Sequence, residues 1–192
     1  PAYTKDLATA KEYAKLLMDD KQYLNAIYIL ERALRNNSQP SPDRVDCQFL
    51  LIESKYLSDR IRTGTKEFQK LISDMDMITK ENPNHPKAPY VFFWKGQLHE
   101  KDNFPYPAIE SYERIVQSYP QFEAKDKVLF SLNCLELQMN NTVKSVQWGQ
   151  QLIKGFPSSP YVLEARFNIA ESYRLTGLFE DARTLYIRIA DS

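Results

Sequence analysis

The side chains able to transfer protons, attack carbon or ligate metals are few in this chain of 192 residues: two histidines, two cysteines and scattered carboxylates. His85 falls in the turn Asn82-Pro83-Asn84-His85-Pro86, where a polar loop role is the ordinary one for a residue able both to donate and to accept. His99 lies in a helical stretch, and packing or surface placement is its ordinary reading as well. Cys47 and Cys134 stand 87 positions apart in helical segments, too few and too scattered for a disulfide framework or a zinc site. Both read as small buried hydrophobes. The acidic pairs Asp74/Asp76 and Glu180/Asp181 read as solvated helix faces. There is no Gly-rich phosphate loop, paired-histidine zinc motif or nucleophile elbow. The expectation is a non-enzyme with no catalytic residue, no metal, no cofactor and no small-molecule substrate.

Composition narrows the partners. Hydrophobic residues make up 43% of the chain and Lys+Arg balance Asp+Glu at 25 each, which describes a folded chain. A formal charge of zero removes the general motive for binding phosphate backbones, so no nucleic-acid partner is expected. No run approaches the roughly 20 apolar residues needed to span a bilayer, so no membrane insertion by this segment is expected. The chain opens at Pro1 and closes at Ser192 within a helical pattern, which fits a segment cut from a longer protein whose signal peptide or anchor has been removed.

Positioning comes from a repeat. Ala108, Ser145 and Ala182 are spaced by 37 residues, as are Pro83, Pro120 and Pro157, so one structural unit is being reused. Gly96, Asn133 and Ala170 form a column of small residues in the same step, and Tyr56, Phe93, Phe130 and Phe167 form an aromatic one. Each unit reads as two amphipathic helices and a short turn. In the last, Phe167, Ile169, Ala170 and Tyr173 recur at helical spacing, Thr176-Gly177-Leu178 breaks the pattern, and Ala182, Leu185, Tyr186 and Ile189 resume it. Gly177 sits where a helix C-terminus calls for left-handed backbone. The third unit runs through Phe92, Phe93 and Gly96, the turn Asp102-Asn103, then Ala108, Tyr112 and Ile115, with Pro120 closing it. The small residues let helix backbones approach while Tyr112 and Tyr186 fill the groove alongside.

This pattern resembles the tetratricopeptide repeat: a small residue on the first helix, Ala and an aromatic on the second, and a closing proline. The likeness covers nearly the whole chain, as one solenoid with units at about 5–36, 43–82, 86–119, 124–156 and 161–192. The first unit matches through Ala14, Tyr23, Ala26, Leu30 and Ala33, with 36–42 read as inserted loop. The second offers Tyr56, Phe68, Leu71, Ile78 and Pro83 but places Asp59 in the small-residue column. The fourth has Ser145 and Gly149 in place of Ala and aromatic, with Trp148 expected to fill the volume that Gly149 leaves. The implied fold class is all-α, a right-handed superhelical solenoid of about five helix pairs with a concave and a convex side.

The resemblance also implies a function, that of a scaffold or adaptor holding other proteins or peptides. In such repeats the aromatic position often borders the concave groove, so Tyr56, Phe93, Phe130 and Phe167, with Tyr90, Gln97, Lys101, Glu171 and Arg174 on the same face, are the candidate partner-binding residues. The competing role for the rings is packing between adjacent units, which is the favoured one because rings bury large areas. Glu100 and Glu164 share that face, so its charge is mixed. The Lys/Asn clamp for acidic chaperone C-termini is not supported, since Tyr90, Phe93, Lys127, Phe130 and Cys134 hold the corresponding places. The joints Tyr119-Pro120 and Phe156-Pro157-Ser158-Ser159-Pro160-Tyr161 are similar to those of bacterial envelope repeat families, the BamD outer-membrane assembly lipoproteins and the CpoB Tol-Pal coordinators. That likeness implies the periplasmic side of an envelope, with an N-terminal anchor. The alternatives are a cytoplasmic regulatory module and an accessory domain of an enzyme whose active site lies elsewhere.

Overall fold

A computed structural model describes residues 6–60, 62 and 64–191. Residues 5 and 192, the outer bounds of the first and last expected units, lie outside the described residues. Those described form ten α-helices and no strand, the all-α class expected. The chain divides into two compact units, Pro1–Lys95 and Gly96–Ser192.

The first unit contains α1 (Leu7–Asp19), α2 (Tyr23–Asn36), α3 (Pro42–Leu57), α4 (Lys66–Glu81) and the start of α5 (Ala88–Lys101). Side-chain caps set three starts: Asp6 accepts from Thr9 N, Ser41 from Arg44 N and Thr65 from Phe68 N. Each satisfies an amide that the helix itself leaves orphaned. The core is built on small residues, with Ala10, Ala14, Ala26, Ala33 and Cys47 fully buried around Leu30 and Leu50. With so little side chain in between, helix backbones approach closely.

The second unit holds the rest of α5, then α6 (Pro105–Ser118), α7 (Lys125–Gln138), α8 (Thr142–Gly155), α9 (Val162–Leu175) and α10 (Phe179–Ala190). Its hairpin turns repeat one device. Asn103, Asn140 and Gly177, 37 residues apart, all have positive φ. In each case the next amide reaches back across the turn, from Phe104 to the His99 carbonyl, from Asn141 to Glu136 and from Leu178 to Tyr173. These are left-handed helix terminations of the kind Gly and Asn make at least cost.

Three expectations are corrected by this geometry. The extra chain length lies inside the second hairpin, at residues 58–65, not at 36–42, since the joint at 37–41 is no longer than those at 82–87, 119–124 and 156–161. Asp59, with φ +48, therefore lies beyond the end of α3 and not in the small-residue column. Tyr56 likewise drops out of the aromatic register. Phe93, Phe130 and Phe167 each precede the last residue of their helix by eight positions, and in α3 that place belongs to Phe49. The third correction concerns Gly149: a Cβ there would meet Asn133 Nδ2 and the Ile169 side chain at 3.0 Å. Those two groups fill the space, and Trp148 packs elsewhere, beside the Leu129, Leu152 and Ala165 cluster.

Two of the joints between hairpins, at 82–87 and 156–161, follow a shared plan that the sequence did not display. In the first unit His85 Nδ1 accepts from Lys87 N at 3.1 Å, and Nε2 lies 3.0 Å from Asp46 on α3. An acceptor role for Nδ1 leaves the proton on Nε2, directed at the carboxylate. The ring also stacks on Phe49 with centroids 3.8 Å apart. In the second unit Ser159 Oγ accepts from Tyr161 N and donates to Asp126 on α7 at 2.7 Å. A polar residue of the joint thus ties the next helix start to a carboxylate on the preceding first helix.

Candidate functional site

The sequence-predicted groove residues fall in both units. In the first, Tyr56 stacks on Trp94 with ring centroids 5.3 Å apart, and Tyr90 tilts against the same indole at 6.1 Å. Phe93 is half-buried beside them in sequence. Offset stacking of this kind adds to the area the rings bury, so Tyr56 and Tyr90 support the indole and present their remaining edges.

In the second unit, Gln97 is half-buried and Lys101 exposed. Phe130 stacks on Tyr161, at the joint before α9, with centroids 4.8 Å apart and planes within 11°. Phe167 is different. It is 48% exposed and touches only the edge of Tyr186, at 5.8 Å, among the ring contacts of the described residues. Two of the charges expected on this face, Glu171 and Arg174, are tied to each other. Arg174 donates to Glu171 through Nη2 at 2.7 Å and Nε at 3.1 Å, while the Tyr186 hydroxyl donates to the other oxygen of Glu171. Hydrogen bonds from Arg174, then from Tyr186, hold the Glu171 carboxyl below its ordinary value. The α9–α10 hairpin therefore presents at its surface an exposed ring beside a self-neutralised polar cluster.

The thiols are poor nucleophiles. Burial pushes Cys134 up to about 11, with the Glu100 and Glu164 carboxylates adding to the effect against a hydrogen bond from Asn168. Burial likewise raises Cys47 to about 11. A thiol in that range stays protonated at neutral pH and does not attack. Among the described residues no group of His, Cys, Asp and Glu is placed to hold a metal ion, and no helix is long and apolar enough to cross a membrane.

Solved structures resemble the chain throughout its length. MamA superposes with a TM-score of 0.73 at 12% identity, covering 100% of this chain and 92% of its own. YrrB, a tetratricopeptide protein with an unusual peptide-binding site, gives 0.72 at 13% identity, over 97% and 86%. Kinesin light chain tetratricopeptide-like repeats of Podosopora anserina give 0.63 at 14%, over 96% and 93%. The fold is a tetratricopeptide-like helical repeat. No family model matches the sequence, and no curated protein does. Phe93, Phe130 and Phe167, expected from sequence as partner-binding positions, lie on α5, α7 and α9, the first helices of their hairpins.

Of the rings that these residues lean on, sequence reasoning placed Tyr186 in the groove between helices and missed the roles of Trp94 and Tyr161. Trp94 ends the run Phe92-Phe93-Trp94, and Tyr161 is the last residue of the joint before α9, so position within the repeat could have flagged both. The Asn133–Asn168 contact, at 2.7 Å, gave no such signal, because two asparagines in separate helices carry no mark of their pairing.

Proposed function

We propose that the chain is a non-catalytic scaffold that docks another protein or peptide on the first-helix side of its hairpins. Phe167 carries this reading: a ring 48% exposed, at a position where its repeat equivalents stack or bury, beside charges already paired to each other. A large aromatic side chain that a partner could cover is the usual anchor of an interface. The likeness to YrrB, with its peptide-binding site, and to a Rap protein complexed with competence and sporulation factor, over 54% of that chain at a TM-score of 0.54, supports a peptide or protein ligand. Replacing Phe167 by a photo-crosslinking phenylalanine in the full chain, within its own cells, is expected to trap one discrete protein. Diffuse adducts at the level seen from an exposed control site such as Gln150 would contradict the reading.

The proline-bounded joints motivate a narrower proposal, that the scaffold works on the periplasmic side of a bacterial envelope. Fractionation of cells making the full-length gene product tests it, with recovery in the envelope expected and recovery in the cytosol contradicting it.

A further inference from the structure

In the first unit, α2 and α4 wall a trough floored by α3. It consists of a cavity of about 490 Å³ between Leu24, Ile27 and Leu71 and a smaller one of about 130 Å³ between Leu34, Leu51 and Ile78. Lys55 borders both cavities, its ammonium held by Glu31 at 3.1 Å. Along α2 the lining residues Leu24, Ile27 and Leu34 fall on one face over ten positions, a length of roughly 15 Å, or about three helical turns. Leu24 is 44% exposed and Met77, at the far end, 49%, whereas Leu34, Leu71 and Ile78 lie buried beneath them, so the apolar rim of the trough is open to solvent.

Charge is distributed unevenly along this trough. At the Leu24 end stand Arg60, Arg62 and Lys70 with the Glu67 carboxylate, beside the Lys55–Glu31 pair. None of those three cations makes a side-chain hydrogen bond or ion pair among the described residues. At the opposite end Asp74 is the charged lining residue besides the shared Lys55. A chain with formal charge zero has thus gathered uncompensated positive charge at one end of an apolar slot. An extended peptide would bring unpaired backbone groups into a lining whose uncharged polar side chains are Gln48, Ser58 and Thr65. A helix arrives with its backbone bonds already made.

We infer that this trough is a second docking surface, shaped for an amphipathic helix of a partner protein about three turns long whose acidic end lies against Arg60, Arg62 and Lys70. The inference rests on the scaffold reading above but not on Phe167. The apolar stripe of that helix would cover Leu24, Ile27 and Met77, while opposite charges at the mouth set its direction and speed its encounter.

The test uses the full chain and a phage-displayed library of helical peptides of about three turns, the enriched peptides being measured by fluorescence anisotropy. Enrichment of peptides with an apolar stripe and Asp or Glu at one end is expected, with affinity falling as salt rises. The triple variant R60E/R62E/K70E alters exposed side chains and should keep the wild-type circular dichroism. It is expected to weaken acidic peptides by about tenfold or more and to favour the Lys-ended counterparts. Leu24→Asp, on the exposed wall, is expected to weaken both, and Phe167→Ala neither. No enrichment, enrichment without acidic ends, or binding indifferent to both trough variants would overturn the inference. A partner trapped at Phe167 despite such a result leaves the scaffold reading standing, and loss of both results removes it too.

Discussion

In the third hairpin Gly96 on α5 lies beneath the ring of Tyr112 on α6, and a Cβ at Gly96 would collide with that ring. In the fourth the sizes are exchanged: Asn133 stands at the Gly96 position and Gly149 at the Tyr112 position, each 37 residues on. Tyr112, fully buried, sends its hydroxyl 2.7 Å to Glu100 at the surface. Asn133, also fully buried, donates to the Ser145 carbonyl at 2.9 Å and hydroxyl at 3.0 Å, while Ser145 Oγ donates back to the Asn133 carbonyl. The slot between paired helices therefore fixes a combined volume and leaves open which helix supplies it, and by what chemistry. An apolar ring with a wet tip fills it by area buried; an amide fills it only by satisfying its own polar atoms.

Truncation separates the two solutions most sharply in the third hairpin. Tyr112→Ala is expected to cost about 3–5 kcal/mol, the range for buried aromatic truncations, read as a lower denaturant midpoint. Asn133→Ala removes less volume but takes away the donor to the Ser145 carbonyl and hydroxyl and one acceptor of the Asn168 amide, for an expected loss of about 1–3 kcal/mol; urea unfolding measures it. A cost for Asn133→Ala equal to that of Tyr112→Ala would mean that the polar network outweighs the ring. Tyr112→Phe keeps the volume and drops one hydrogen bond to the carboxylate of an exposed residue, Glu100, so about 1 kcal/mol or less is expected in the same assay.

The joints allow a smaller test of the same kind, polar against polar. Burial acts to raise the Asp46 carboxyl, but the hydrogen bonds from His85 and Lys11 and the Lys11 charge outweigh it and hold the value below the ordinary one. A depressed carboxylate stabilises the fold at pH above its unfolded value, and that stability is lost as pH falls through the folded value. Asp46→Asn should accordingly lower Tm at about pH 6 and narrow the difference between wild type and variant by about pH 3. An unchanged gap would remove the Lys11–Asp46–His85 chain from the stability of the first unit.

Periodicity was enough to find ten helices and their pairing, because a side chain recurring at helical spacing must face a neighbour. It failed where chain length shifted between turns. Counting 37 residues back from Phe93 reaches Tyr56, but the long turn at 58–65 moves the equivalent place to Phe49, which is buried on His85. Of the candidate site, the exposed Phe167 could be placed from sequence, whereas the pairing of Glu171 with Arg174 and Tyr186 depends on where α10 lies against α9. The cationic end of the trough was hidden for another reason: Arg60 and Arg62 belong to a turn and Lys70 to a helix, so they never form a run that a charge pattern would reveal.

Close approach of paired helices is the claim on which the rest depends, and α8 carries its own control. Gly149 and Gly155 share that helix, but a Cβ at Gly149 meets Asn133 and Ile169 at 3.0 Å whereas one at Gly155 meets nothing within 4 Å. Alanine at an unobstructed helical glycine stabilises by about 0.4–1 kcal/mol, and alanine forced into a filled slot costs about 1–3 kcal/mol. Equilibrium urea unfolding of Gly149→Ala and Gly155→Ala is therefore predicted to give shifts of opposite sign, with Gly149→Ala destabilised. Equal stabilisation by both would contradict the close-packed slot.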